Sequence, residues 1–207
     1  WRTNMAGTRA ANLRKAFRAG GVYVFVMTPM RATRNRRGEL EVDLAGVEKN
    51  TTYFAGIPGE KTLVVCGGSG EFYSLTPSEV AGVAAAAVSG VGGRCKIVCG
   101  IGGTDRTAVK MAQAVQEAGV DAVLVMPHEP VSKRGDRAIW ERHRAINRSL
   151  DIGFLPFRAP RQLLSIDLVK RFARLPNVVA IKEESGAVDW VRTGCRVTGN
   201  AVPVITG

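Results

Sequence analysis

The 207-residue sequence sets 29 Lys and Arg against 18 Asp and Glu, a formal net charge of +11, with 45% hydrophobic residues and 24 glycines. That composition belongs to a globular chain with length for one sizeable core and excludes a disordered one. Its apolar runs fall well short of the ~18–20 residues that carry a helix across a bilayer, and its basic residues fall in three separate clusters (31–37, 133–148 and 158–174) rather than one stripe, so a solvated Arg-rich surface is expected and nucleic acid is not.

Residues 1–20 form a basic, acid-free segment containing Arg2, Arg9, Arg14, Lys15 and Arg18. It has no continuous apolar stretch of the kind a signal peptide needs, although an Arg-rich, acid-free leader also fits a transit peptide. Leu13 and Phe17 stand four apart, so the reading is a short helix before the first strand. From residue 21 onward one domain is expected, running to residue 207. Short Val- and Ile-rich runs recur at 22–27, 62–66, 96–100, 121–126, 152–157, 178–182 and 202–206. Little strict alternation within them predicts strands covered on both faces, hence parallel ones.

Helical patterns separate these runs. Thr76 predicts a helix start, with Pro77 at its first position and Glu79 completing a capping box. Thr104 opens a second helix whose Val109, Ala112, Val115 and Gln116 share a face and which Gly119 ends. Residues 137–150 place Ile139, His143 and Ile146 on one side, and 163–174 space Leu164, Leu168 and Phe172 four apart. Seven strand-then-helix units, with strand starts 24–40 residues apart, predict an α/β fold of the (β/α)8 TIM-barrel type over a doubly wound sheet. "MTPMRATRNRRG", after the first strand, lacks a dinucleotide-binding glycine fingerprint. The eighth strand of such a barrel would lie past residue 207.

Cys66, Cys95, Cys99 and Cys195 have no zinc-ligand spacing and read as reduced thiols in or near the core, which fits a cytoplasmic location. No metal is expected.

Barrel chemistry sits at the C-terminal ends of strands. Those positions here hold Thr28 and Pro29, then "CGGSGEFYSL", "GIGGTD", "PHEP", "FRAP", Lys182, and finally Thr206 and Gly207. The turn Gly67, Gly68, Ser69, Gly70 can converge backbone N–H groups on a carboxylate or phosphate. Lys182 ends the apolar run "VVAIK". In an apolar barrel mouth, desolvation disfavours an ammonium and frees the amine to condense with a ketone.

The stretches "VVCGGSGEFYSLTPSE" (64–79), "CGIGGTDRTAVKMAQAVQEAGVDAVLVMP" (99–127) and "LPNVVAIKEESG" (175–186) resemble the dihydrodipicolinate synthase / N-acetylneuraminate lyase family, in order and in spacing. Within it, "GGSGEFYSLTP" is most like the 5-dehydro-4-deoxyglucarate dehydratases. The resemblance implies a Schiff-base lyase acting on a small-molecule 2-keto acid or keto-sugar acid, with dehydration and decarboxylation of 5-dehydro-4-deoxyglucarate as the activity of the nearest branch. It also implies no cofactor, and a homo-oligomer, dimer or tetramer. Aldol condensation of the 4-hydroxy-tetrahydrodipicolinate synthase kind is the alternative activity. Lys182 matches the family's catalytic lysine. Ser69 keeps the catalytic hydroxyl of the carboxylate-binding turn, with Gly67, Gly68 and Gly70 around it. Arg158 stands where the glucarate branch has an arginine, ready for a distal carboxylate, and Thr206 closes the substrate-binding set.

One departure stands out. The family's proton-shuttling tyrosine on strand five falls on Pro156 by an ungapped count, with Phe154 and Phe157 beside it, and none has a hydroxyl. A second family tyrosine is replaced by His128 or Glu129. A family barrel that binds without turning over is therefore a further alternative.

Overall fold

The computed structural model describes residues 2–33 and 40–206, with side chains from Ala10 onward. Arg34, Arg36 and Arg37 of the first basic cluster, and Gly207, lie outside the described residues. Helix α1 (Arg2–Arg18) comes first, followed by β1 (Val22–Phe25). A two-stranded antiparallel ribbon follows, β2 (Met30–Ala32) with β3 (Leu40–Val42). Then come α2 (Leu44–Gly56), β4 (Lys61–Val65), α3 (Pro77–Val91), β5 (Lys96–Ile101), α4 (Asp105–Glu117) and β6 (Ala122–Val125). The remainder is α5 (Glu129–Ser132), α6 (Asp136–Arg148), β7 (Gly153–Arg158), α7 (Ile166–Phe172), β8 (Ile181–Glu183), α8 (Val188–Val197) and β9 (Val204–Thr206).

Seven strands form one parallel sheet in the order β1-β4-β5-β6-β7-β8-β9, each beside its successor in sequence. The sheet curls as a (β/α)8 barrel does, because Lys182 of β8 reaches the Phe25 ring of β1 across its concave side. Leu155, Val64 and Leu124 are buried in this sheet, and helices cover its outer face. α1 places Leu13 and Phe17 in the core. A side chain at Gly153 of β7 would collide with Leu13, so α1 lies against the barrel at the start of β7. Arg14 and Arg18 secure it through Nε bonds of 2.9 Å to the carbonyls of Val178 and Asn200.

The local signals that are complete in sequence produce the expected elements. Thr76 Oγ1 accepts from the Glu79 N–H at 3.3 Å, and the Glu79 carboxylate accepts from the Thr76 N–H at 2.7 Å. Thr104 caps α4 by accepting from Thr107 N at 3.2 Å. The buried face of α4 is Ala108, Met111, Ala112 and Val115, so the stripe predicted from Val109 and Gln116 is rotated toward Met111.

β8 departs from its prediction. A strand over 178–182 was expected, yet the ladder with β7 is interrupted after an isolated Phe154–Val178 bridge and resumes at Phe157–Lys182. Between those pairs β7 advances three residues and β8 four, which is a bulge on β8. Pro156 is the physical reason. Phe154 bonds toward β8 through both N–H and C=O, and Arg158 O accepts there from Glu184 N at 2.9 Å. By alternation Pro156 faces β8 as well, where it has no N–H to donate. The extra residue decides which side chain of β8 enters the barrel, since a one-residue slip exchanges the two faces.

Candidate active site

The glycine turn at the end of β4 is held from three sides. Cys66 and Glu71 adopt left-handed backbone angles, φ 52° and 58°, and the N–H groups of Gly70 and Phe72 fold back on Gly67 O. The buried Thr28 hydroxyl donates to Gly70 O at 2.7 Å. Gly100 on β5 has to be glycine, because a Cβ there would stand 1.8 Å from Cys66 O. Among the described residues the N–H groups of Gly68 and Ser69 have no protein acceptor and Ser69 Oγ has no partner, and both residues are exposed at the strand ends. Three hydrogen-bonding groups are therefore open to an anion.

Lys182 is 1% exposed and in register with Phe157 of β7 and Ile205 of β9. Its Nζ lies 5.3 Å from the Phe25 ring centre and 5.9 Å from that of Phe157. A Cβ on Gly67 would touch the same Phe25 ring at 3.0 Å, so the glycine turn and the lysine border one aromatic side chain. Among the described residues, the polar contacts of Nζ are Glu184 Oε1 and the Glu183 carbonyl, each at 3.5 Å.

The structure selects among the three candidates for the strand-five position. Phe154 packs edge-on against His143 of α6, outside the barrel. Pro156 shares that outward side by alternation. Phe157 is the residue that faces Lys182, and it carries no hydroxyl. His128 precedes α5 with no side-chain capping bond, and burial followed by Arg142 holds its pKa below the ordinary histidine value. Glu129 is exposed and paired to Lys133 at 2.7 Å. Tyr73, one of three tyrosines in the chain, donates to Pro127 O at 3.2 Å, just past β6 and two strands from Lys182.

Two predicted binding residues are not brought to the lysine. Arg158 is in register with Glu183, one residue on from the Phe157–Lys182 pair, and so occupies the opposite face of the sheet. Its guanidinium bonds Glu183 Oε1 at 2.7 Å and stacks 4.7 Å above the Trp190 ring of α8. Thr206 also pairs with Glu183, and the β9 neighbour of Lys182 is Ile205. Glu183 is itself buried and further accepts from the Ser185 N–H at 2.7 Å and from the Ser185 hydroxyl. Burial alone would raise its carboxyl pKa, but the Ser185 bonds and Arg158 outweigh that and hold it below the usual range. This cluster clamps the end of β8 from outside. A separate cleft of about 580 Å³ opens between α5, α6 and the segment after β7, lined by Glu129, Lys133, Asp136 and Arg161, and none of the predicted site residues borders it.

A profile of the Dihydrodipicolinate synthetase family matches residues 18–207. The chain belongs to this family. Among curated family relatives, a probable 5-dehydro-4-deoxyglucarate dehydratase of Rhizobium meliloti (strain 1021) is 30% identical over 170 residues, 82% of this chain and 56% of the relative. One of the same description from Bacillus subtilis (strain 168) is 28% identical over 180 residues, 86% of this chain and 55% of the relative. The chain thus spans about half the length of the curated relatives it matches. Of solved family structures, dihydrodipicolinate synthase from Aquifex aeolicus superposes with a TM-score of 0.76 at 27% identity, covering 90% of this chain and 62% of that one. Among the described residues, no helix is long and apolar enough to cross a membrane.

Proposed function

We propose that the chain carries the Schiff-base site of a lyase acting on 2-keto acids, with a keto-sugar acid of the 5-dehydro-4-deoxyglucarate type as substrate. The observation that carries this is Lys182, a fully buried lysine turned into the barrel beside two aromatic rings and an open glycine turn. The open N–H groups of Gly68 and Ser69, with the Ser69 hydroxyl, receive the carboxylate next to the ketone. Lys182 then attacks the ketone carbon, and loss of water leaves an iminium that withdraws electrons from the adjoining carbon. With a hydroxyl one carbon further along, that sink drives dehydration. With an aldehyde acceptor it drives the aldol condensation of the alternative reading. The relatives' descriptions favour dehydration. Arg158 and Thr206 have no part in this account, since both sit on the Glu183 side of the sheet. Family resemblance adds a homo-oligomer, dimer or tetramer, to the proposal, and light scattering measures it.

Incubation with 5-dehydro-4-deoxyglucarate tests the reading. Substrate loss that disappears in Lys182→Ala supports it, and equal turnover by that variant removes it. Phe157 gives a second reading some support, because the residue facing the lysine from β7 cannot relay a proton. A family barrel that binds keto acids without converting them would form the lysine adduct and leave the sugar acid intact.

A further inference from the structure

We infer that Glu184 is the acid–base residue of the Lys182 site, a proposal that rests on the Schiff-base reading above. Lys182 lies in β8 and Glu184 follows directly after the strand, its carboxylate on the lysine's side, while Glu183 between them points away to Arg158. Glu184 Oε1 lies 3.5 Å from Nζ. The lysine side chain is 2% exposed and the Glu184 side chain 52%, so the carboxylate joins a buried amine to solvent at the rim.

The Ser69 hydroxyl is engaged with the substrate carboxylate in that reading, and the remaining groups around the lysine are unsuited to the task. Phe25 and Phe157 have no exchangeable proton. The Glu183 carboxylate is held by Arg158 and Ser185 on the far face. Thr28 donates to Gly70 O, and Tyr73 is bound to Pro127 O two strands away. Among the described residues, Glu184 is the titratable side chain in ion-pair contact with Nζ.

The proton balance closes with this one carboxylate. The resting pair is an ammonium and a carboxylate. Transfer of one proton to Glu184 leaves the neutral amine, whose lone pair attacks the ketone carbon as the C=O π pair moves to oxygen. A proton passes from that nitrogen to that oxygen, giving the neutral carbinolamine. Glu184 then returns its proton to the departing hydroxyl, so the C–O bond breaks, water leaves and the nitrogen lone pair forms the iminium. The regenerated carboxylate then takes a proton from the carbon beside the iminium, the C–H pair becomes the enamine C=C bond, and the C=N π pair returns to nitrogen.

Pyruvate in D2O is the probe, because exchange of its methyl protons reports the last step by proton NMR. Wild-type protein is expected to exchange the methyl group and, on borohydride reduction, to carry the adduct on Lys182. Glu184→Gln keeps the shape and a hydrogen-bonding oxygen beside Nζ but cannot take up a proton. Its exchange should fall at least about 100-fold, while prolonged incubation still labels Lys182 to the wild-type extent. Glu184→Asp, which restores a carboxylate, should exchange at least about ten-fold faster than Glu184→Gln. Exchange by Glu184→Gln within about two-fold of wild type, or equal exchange by the Gln and Asp variants, overturns the assignment while leaving the Schiff base intact. A wild-type protein that forms no adduct removes the Schiff-base reading itself, and this inference with it.

Discussion

His143 ties the stability of this barrel to pH. The imidazole is fully buried on α6 between the rings of Phe154 and Phe172, at centroid distances of 5.7 and 4.9 Å. Its Nδ1 donates to Ile139 O at 2.7 Å, and among the described residues Nε2 has no partner. Burial lowers its pKa from 6.5 to about 4, with the Ile139 bond opposing the shift and Arg142 adding to it. The folded value is the depressed one, so between these two values the unfolded chain binds the extra proton. Stability from this group is complete above the unfolded pKa and is lost as pH falls toward the folded one. At 1.36 kcal/mol per pH unit the full effect is about 3 kcal/mol, and roughly 2 kcal/mol of it disappears between about pH 7.5 and about pH 5. Urea unfolding of wild type and His143→Leu at those two pH values isolates the group, because other titrations are common to both proteins. Wild type should lose about 2 kcal/mol more than the variant. Equal losses would refute the buried, neutral assignment.

Other consequences of the geometry are as direct. Arg158→Ala leaves the buried Glu183 carboxylate without its cation, at a cost of about 3 kcal/mol in chemical unfolding, and removal of the stacked guanidinium should change Trp190 fluorescence. A loss of affinity for keto acid with unchanged stability would instead return Arg158 to the substrate. Gly100→Ala drives a Cβ into Cys66 O, so the turn at Gly67 must shift or the sheet must open. Destabilisation of about 3 kcal/mol or more is expected in thermal or urea melts, and a variant as stable as wild type would contradict the turn geometry.

What the sequence made legible is what depends on neighbours a few positions away. The Thr76–Glu79 box, the Thr104 cap and the beat of Val-rich strands are local, and the barrel follows from them. The β2–β3 ribbon has strands of three residues, two of the three exposed in each, too short to leave a period. The faces of β7 and β8 escaped for a different reason. The β7 faces follow that strand's own alternation, but which β8 side chains join them depends on a bulge opposite Pro156, which exists only once the two strands pair and which turns Lys182 in beside Phe157 and Glu183 out beside Arg158. Nothing in the sequence marks Glu184, and its distance to Nζ is what separates it from an ordinary surface glutamate. Lys182 was visible because an apolar run ending in lysine coincides with a barrel strand end and with the family motif.

Peptide mapping by mass spectrometry after borohydride reduction in the presence of pyruvate tests the central claim most directly. The account predicts a reduced adduct on the peptide containing Lys182, and none on Lys182→Ala. An unlabelled wild-type protein, or equal labelling of other lysines with Lys182 spared, would contradict it.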